Sequence, residues 1–144
     1  MHTVSKSFKF CAAHRLLGHK GKCRYLHGHN YAATVTVGPR YRDAELDGLG
    51  MVLDFEILKD RIGLYINSAW DHNTLVHIAD PLLKVPDVFG DRIPFVMDEN
   101  PTAENMAKVL FREAEALLSN TRAVVIEVRI DETGSCSASY SEDR

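Results

Sequence analysis

His27 and His29 stand two residues apart at the head of an alternating run, in which Tyr31, Ala33, Val35 and Val37 continue their face while Thr34 and Thr36 take the other. Successive side chains of a strand point to opposite faces, so both imidazoles leave the same side of one half-buried strand. Two imidazoles held in that way can bind one metal ion. A chain carrying this run must build a sheet with one covered face, and its histidine pair then belongs to the scaffold rather than to a loop. Cys23 lies four residues before His27 in Cys23-Arg24-Tyr25-Leu26-His27-Gly28-His29-Asn30-Tyr31, which adds a potential nucleophile or base.

The flanking segments supply the remaining layers. Thr3 to Ala13 alternates with Val4, Phe8, Phe10 and Ala12 on one face, and a strand extended by one residue puts His14 on that face. Gly18 to Lys22 reads as the turn that returns this strand beside His27 to Gly38, so a hairpin brings His14 near His27 and His29. Pro39 to Gly50 is polar and turn-rich. Asp54 offers an N-cap to a short amphipathic helix bearing Phe55, Leu58, Ile62, Tyr65 and Ile66. Trp70 to Asn100 is dense in turn signals and predicts a long loop with a brief strand, Ile93 to Met97. Pro101-Thr102 opens a second helix with Met106, Ala107, Leu110, Phe111, Ala114, Leu117 and Leu118 on one face, stopped at Ser119-Asn120. Arg122 to Glu132 alternates with Val124, Ile126, Val128 and Ile130 inward, and Glu132 falls in line with them. Gly134 turns the chain into a last strand with Cys136, Ala138 and Tyr140 on one face.

The order ββααββ predicts a single α+β domain over residues 1–144, a four-stranded antiparallel sheet with both helices on one face. Such a sheet has open edges, and assembly of several subunits into a barrel would cover them, so a homo-oligomer is expected. At 144 residues with 45% hydrophobic content the chain suits one core. The net charge of −3, with Lys and Arg never in runs, argues against nucleic acid as a partner. No apolar run is long enough to span a bilayer and the first residues lack a signal-like core, which predicts a soluble cytoplasmic protein without a membrane partner. Three cysteines, an odd number, do not make a disulfide framework. Cys11 and Cys136 read as small buried apolar groups, and Cys23 alone has chemical neighbours.

His14, His27 and His29 match the three-protein-ligand site of catalytic zinc, which leaves a fourth position open. The usual iron triad needs a carboxylate ligand, and none is in register here. Cys23 has two rival readings: a fourth ligand closing a structural, non-catalytic zinc module, or a free thiol whose pKa the nearby cation lowers so that it serves as base. Asp71-His72 would suit an aspartate orienting a histidine that polarises a thiol, although adjacent residues in a strand do not readily bond side chain to side chain. Glu132, inward by periodicity, needs a partner for its carboxylate; an amidine-like ring edge with adjacent N–H and NH₂ donors would serve, as would a cross-strand cation. His2, His19 and His77 lie in polar stretches and read as ordinary solvated side chains.

Phe10-Cys11-Ala12-Ala13-His14, Cys23 to Tyr31, Met51-Val52-Leu53-Asp54-Phe55, Asp71-His72-Asn73-Thr74-Leu75, Asn100-Pro101-Thr102-Ala103-Glu104-Asn105 and Glu132-Thr133 together resemble motifs of the 6-pyruvoyltetrahydropterin synthase and 6-carboxytetrahydropterin synthase family. The resemblance runs nearly end to end. It implies a tunnelling fold, a hexamer of two trimers with sites between subunits, and a small-molecule substrate, 7,8-dihydroneopterin triphosphate. Matched position by position, it implies Zn²⁺ on His14, His27 and His29, Cys23 as the base, and Asp71 with His72 completing the relay. It further implies Glu132 as the pterin anchor, with Thr102 and Glu104 as substrate-binding residues. Loss of triphosphate with internal redox rearrangement would give a pyruvoyl product; side-chain cleavage would give a 6-carboxy product and acetaldehyde. Three residues separate Cys23 from His27, a spacing similar to the bacterial 6-carboxytetrahydropterin synthases of queuosine-type deazapurine biosynthesis.

Overall fold

The computed structural model describes residues 1–41, 43 and 45–143, so Arg42 and Ala44 of the turn-rich stretch 39–50, and Arg144, lie outside the described residues. β1 (Val4–His14) and β2 (His27–Pro39) pair antiparallel along their whole length, from Val4 opposite Val37 to His14 opposite His27. Phe10, Ala12 and His14 of β1 and Tyr31, Ala33 and Val35 of β2 are buried on the shared face. The Phe10 ring stacks on Tyr31 with centroids 5.2 Å apart.

β5 (Ala123–Asp131) adds antiparallel to β2, and β6 (Ser137–Tyr140) to β5. On the other side β3 (Asn73–His77) pairs parallel to β1 and β4 (Phe95–Met97) parallel to β3. The sheet therefore has six strands in the order β4-β3-β1-β2-β5-β6, mixed rather than antiparallel, where the sequence predicted four. β4 lies within the expected Ile93 to Met97 strand. β3 carries no alternation to mark it inside the expected loop, because its only apolar residues, Leu75 and Val76, are adjacent and both fully buried between polar Asn73-Thr74 and His77.

The first helical segment, α1, covers residues 55–69 as Phe55–Leu58, a π-helical turn Lys59–Gly63 and Leu64–Ala69. Asp54 caps it by accepting from the Glu56 N–H at 2.9 Å. Leu58, Ile62, Ile66 and Trp70 recur every fourth residue and are all buried. An α-helix of 3.6 residues per turn would rotate such a row off the core, and the wider π turn restores its phase. Phe55, expected on the inner face, is instead 50% exposed. Gly63 lets the helix lie on β1, since a Cβ there would stand 3.1 Å from the Phe8 ring.

The second helix, α2 (Ala103–Leu117), is capped by Thr102, whose hydroxyl accepts from the Asn105 N–H at 3.2 Å. Met106, Ala107, Leu110, Phe111 and Ala114 enter the same core as Leu58, Ile62 and Ile66, so both helices cover one face of the sheet. On β5 the predicted inward set holds at Val128 and Ile130 but not at Val124 and Ile126. A bulge between Thr36 and Val37 pairs Glu127 with Thr36 and Val125 with Val37, which leaves Ile126 as the extra residue and turns Val125 and Ala123 into the core. Cys11 and Cys136 are exposed, not buried: Cys11 occupies the outer face of β1, and Cys136 lies in the turn before β6.

Asp80 is buried at 2% exposure, where Arg15 Nε donates to it at 2.7 Å and Nη2 donates to its other oxygen. The Arg15 hydrogen bonds hold its carboxyl below the ordinary value of 3.8. A depressed carboxylate stabilises the fold above its ordinary pKa and loses that contribution as pH falls through the depressed value. Asp80→Ala, which strands Arg15, is expected to cost about 3 kcal/mol at pH 7 in denaturant unfolding. The difference from the native chain should shrink on acidification below about pH 4.

Candidate active site

The end of the β1–β2 hairpin carries three histidines on the helix-covered face, with His14 opposite His27 and Ala12 opposite His29. Their ligand nitrogens all lie within 4.8 Å of one another. Two backbone carbonyls set the tautomers. His14 Nδ1 donates to the Pro101 carbonyl at 2.7 Å, and His27 Nδ1 donates to the Tyr25 carbonyl at 2.6 Å. A carbonyl can only accept, so each ring carries its proton on Nδ1 and presents a bare Nε2.

Those two Nε2 atoms face each other at 3.1 Å. Two lone pairs so placed repel unless an electrophile lies between them, and His29 Nε2 is buried with no hydrogen-bond partner. Burial, first of all, holds His14 below its ordinary pKa of 6.5, which keeps the ring neutral. Zinc with bonds of about 2.0 Å to nitrogen sets tetrahedral ligand atoms about 3.3 Å apart, so the donor set fits a small divalent cation. Among the described residues this cluster contains three histidines and no cysteine, so the reading of Cys23 as a fourth ligand finds no geometric support.

Glu132 extends the inward register of β5, and its Oε1 stands 3.6 Å from His29 Nε2. Tyr31, expected from the alternation to continue the histidine face, puts its hydroxyl 3.2 Å from both ring nitrogens of His14. Burial, then the negative charges of Glu132 and Cys23, push that hydroxyl far above the ordinary tyrosine value, so it stays protonated. Cys23 sits partly exposed in a 3₁₀ turn, Lys22–Arg24, of the hairpin loop.

Asp71 and His72 stand outside this donor cluster. His72 lines a cleft of about 390 Å³ with Cys11, Ala13, Gly28, His29, Asn30 and Thr74, residues of β1, β2 and β3. The pair does bond side chain to side chain, His72 Nδ1 to Asp71 Oδ1 at 3.0 Å. The backbone of His72 is left-handed, φ 55°, a conformation outside the strand geometry in which neighbouring side chains do not readily bond. The Cys11 N–H donates to the same oxygen at 3.0 Å, and this bond, ahead of His72, keeps the Asp71 carboxyl below 3.8. The chain thus brings His14, His27, His29 and Glu132 together, and Asp71 and His72 are not members of that donor cluster. Thr102 spends an acceptor site on the helix cap, and Glu104 is exposed in the first turn of α2.

Three clustered imidazoles with a carboxylate beside them define a centre built to hold one divalent ion next to an acceptor for donor groups of a ligand. The chain belongs to the 6-pyruvoyl tetrahydropterin synthase family, whose model matches residues 3–143. It is 33% identical over 139 residues to a 6-carboxy-5,6,7,8-tetrahydropterin synthase of Rickettsia bellii, covering 94% of this chain and 97% of that one. A protein of the same description from Haemophilus influenzae is 32% identical over 99% of this chain and 100% of its own. Among solved structures, the 6-pyruvoyl tetrahydropterin synthase of Caenorhabditis elegans superposes with a TM-score of 0.70 at 28% identity, covering 99% of this chain and 96% of that one. An uncharacterized protein of Wolinella succinogenes shares the fold with a TM-score of 0.82 at 23% identity, over 99% and 98% of the two chains. No helix among the described residues is long and apolar enough to cross a membrane.

The geometry predicts uptake of one divalent ion per chain. Elemental analysis should find it in the native protein and in Cys23→Ala, and should find it lost in His29→Ala. Zinc at about 100 times its Kd should stabilise the native fold by about 2.7 kcal/mol in thermal unfolding.

Proposed function

We propose that this tetrahydropterin synthase is a zinc-dependent lyase that converts 7,8-dihydroneopterin triphosphate and water to 6-carboxy-5,6,7,8-tetrahydropterin, acetaldehyde and triphosphate. The observation that carries the reading is the pair of facing imidazole lone pairs completed by His29, with the Glu132 carboxylate 3.6 Å away. The 6-carboxy product is favoured by the description of the Rickettsia and Haemophilus relatives and by the three-residue spacing between Cys23 and His27. Zinc held by His14, His27 and His29 would acidify a side-chain hydroxyl and stabilise enolate-like charge.

The remaining roles belong to the chain. Glu132 accepts from adjacent N–H and NH₂ donors of the pterin edge, which fixes the ring beside the histidines. Cys23, as thiolate, removes the side-chain proton. Asp71, held ionised, orients His72, and His72 polarises the thiol. Their position outside the donor cluster suits service to Cys23 of a neighbouring copy, in a hexamer of two trimers whose barrel pairs the open sheet edges. The Thr102 hydroxyl keeps its own proton for donation to substrate, and Glu104 flanks it at the start of α2. The setting is cytoplasmic queuosine-type deazapurine biosynthesis.

The likeness to the C. elegans enzyme favours a second outcome, loss of triphosphate without carbon–carbon cleavage to give the 6-pyruvoyl product. Incubation of the zinc-loaded protein with dihydroneopterin triphosphate should release acetaldehyde stoichiometric with triphosphate. Pyruvoyl product without acetaldehyde would overturn the 6-carboxy reading. Cys23→Ala should lower kcat about 10²- to 10⁴-fold with zinc retained, the range for loss of a general base. Glu132→Gln, which replaces an acceptor by a donor, should raise KM about tenfold or more in steady-state assays.

A further inference from the structure

The first 42 residues contain eight of the seventeen Lys and Arg and none of the twenty Asp and Glu. Within this segment Arg15, Lys20, Lys22 and Arg24 fall in the loop that joins His14 to His27. The loop encloses a cleft of about 390 Å³ lined by Arg15, Leu16, Leu17, His19, Arg24 and Tyr25. Both ends of the loop are tied to the histidine cluster: Arg15 follows His14, and the Tyr25 carbonyl accepts from His27.

The loop is braced from inside. Leu16 N–H donates to the Cys23 carbonyl at 2.8 Å. The Asn100 amide accepts from Leu17 N–H at 2.8 Å and donates to the Leu17 carbonyl at 2.9 Å. Asp80 takes the charge of Arg15. Arg24 is held by neutral groups instead: Nη2 donates to the Tyr25 hydroxyl at 2.6 Å, and its guanidinium lies 4.8 Å from the Tyr25 ring centroid. Among the described residues, Lys20, Lys22 and Arg24 form no ion pair with a carboxylate. Three cations on a braced loop, unneutralised and at the margin of the histidine cluster, are an anion site in waiting.

We propose that this loop is the polyphosphate subsite, with Arg24 and Lys20 binding the phosphates and Lys22 adding to the field. The assignment rests on the lyase reading for its ligand: a substrate whose ring lies at Glu132 and whose hydroxyls lie at the histidines carries its phosphates one carbon further on. Arg24 suits the role because a planar guanidinium binds phosphate oxygens in pairs. The competing cleft, with Lys108 and Arg112, also holds Asp98 and Glu99, which oppose an anion.

Calorimetric titration of the zinc-loaded full chain with inorganic triphosphate tests the assignment. The native protein and Lys108→Gln/Arg112→Gln should bind alike, whereas Lys20→Gln/Arg24→Gln should bind at least about tenfold more weakly, as expected for loss of charged hydrogen bonds. Unphosphorylated 7,8-dihydroneopterin should bind Lys20→Gln/Arg24→Gln as it binds the native chain, and Lys20→Arg/Arg24→Lys should recover most of the triphosphate affinity. Unchanged triphosphate affinity in the glutamine variant, an equal loss in the Lys108/Arg112 variant, or no triphosphate binding by the native chain would each overturn the subsite. A native chain that binds triphosphate through this loop but releases no acetaldehyde would defeat the 6-carboxy reading and leave the subsite standing.

Discussion

The pairing of β1 with β2 in a single register, His14 opposite His27, is the constraint on which the other features depend. Side chains alternate with a period of two, so a slip of one residue would carry His27 and His29 to the outer face together with Tyr31, Ala33 and Val35. The apolar residues that forbid the slip are therefore the same ones that place the imidazoles. Burial of Phe10 against Tyr31 and of Ala33 and Val35 beneath the helices gives the register its energy. The facing Nε2 atoms of His14 and His27 oppose it, since two bare nitrogens at 3.1 Å repel.

That repulsion ties folding to function. Apolar packing and the carbonyls of Pro101 and Tyr25 hold the rings in a donor arrangement that is unfavourable until a cation is present. Pro101 stands just before the cap of α2, and Tyr25 ends the basic loop, so the ring orientations depend on two segments far apart in sequence. Asn100 joins those segments by clasping Leu17. Metal ligands, helix start and basic loop thus form one braced unit.

Particular residues show where sequence reasoning held and where it stopped. Alternation placed His14, His27, His29 and Glu132 on one face, because the period of two holds wherever a strand runs without a bulge. It failed at Val124 and Ile126, where the bulge shifts the period by one, and at β3, whose two apolar residues are adjacent and leave no alternation to read. The row Leu58, Ile62 and Ile66 announced α1 but not its π turn, which answers the need to keep a four-residue repeat on the sheet. Tyr31 was legible as core, and only the fold shows its hydroxyl against His14.

The sequence by itself determined the covered face of the hairpin, the three imidazoles upon it, the two capped helices and the inward carboxylate, since each follows from a local period or a capping pattern. The tertiary structure decided the six-stranded order, the exposure of Cys11 and Cys136, the tautomers set by Pro101 and Tyr25, and the place of Asp71 and His72 outside the donor cluster. These rest on backbone carbonyls, a positive φ at His72 and pairings between distant segments. Such features carry no periodic trace in the chain, because they arise where segments meet rather than within any one of them.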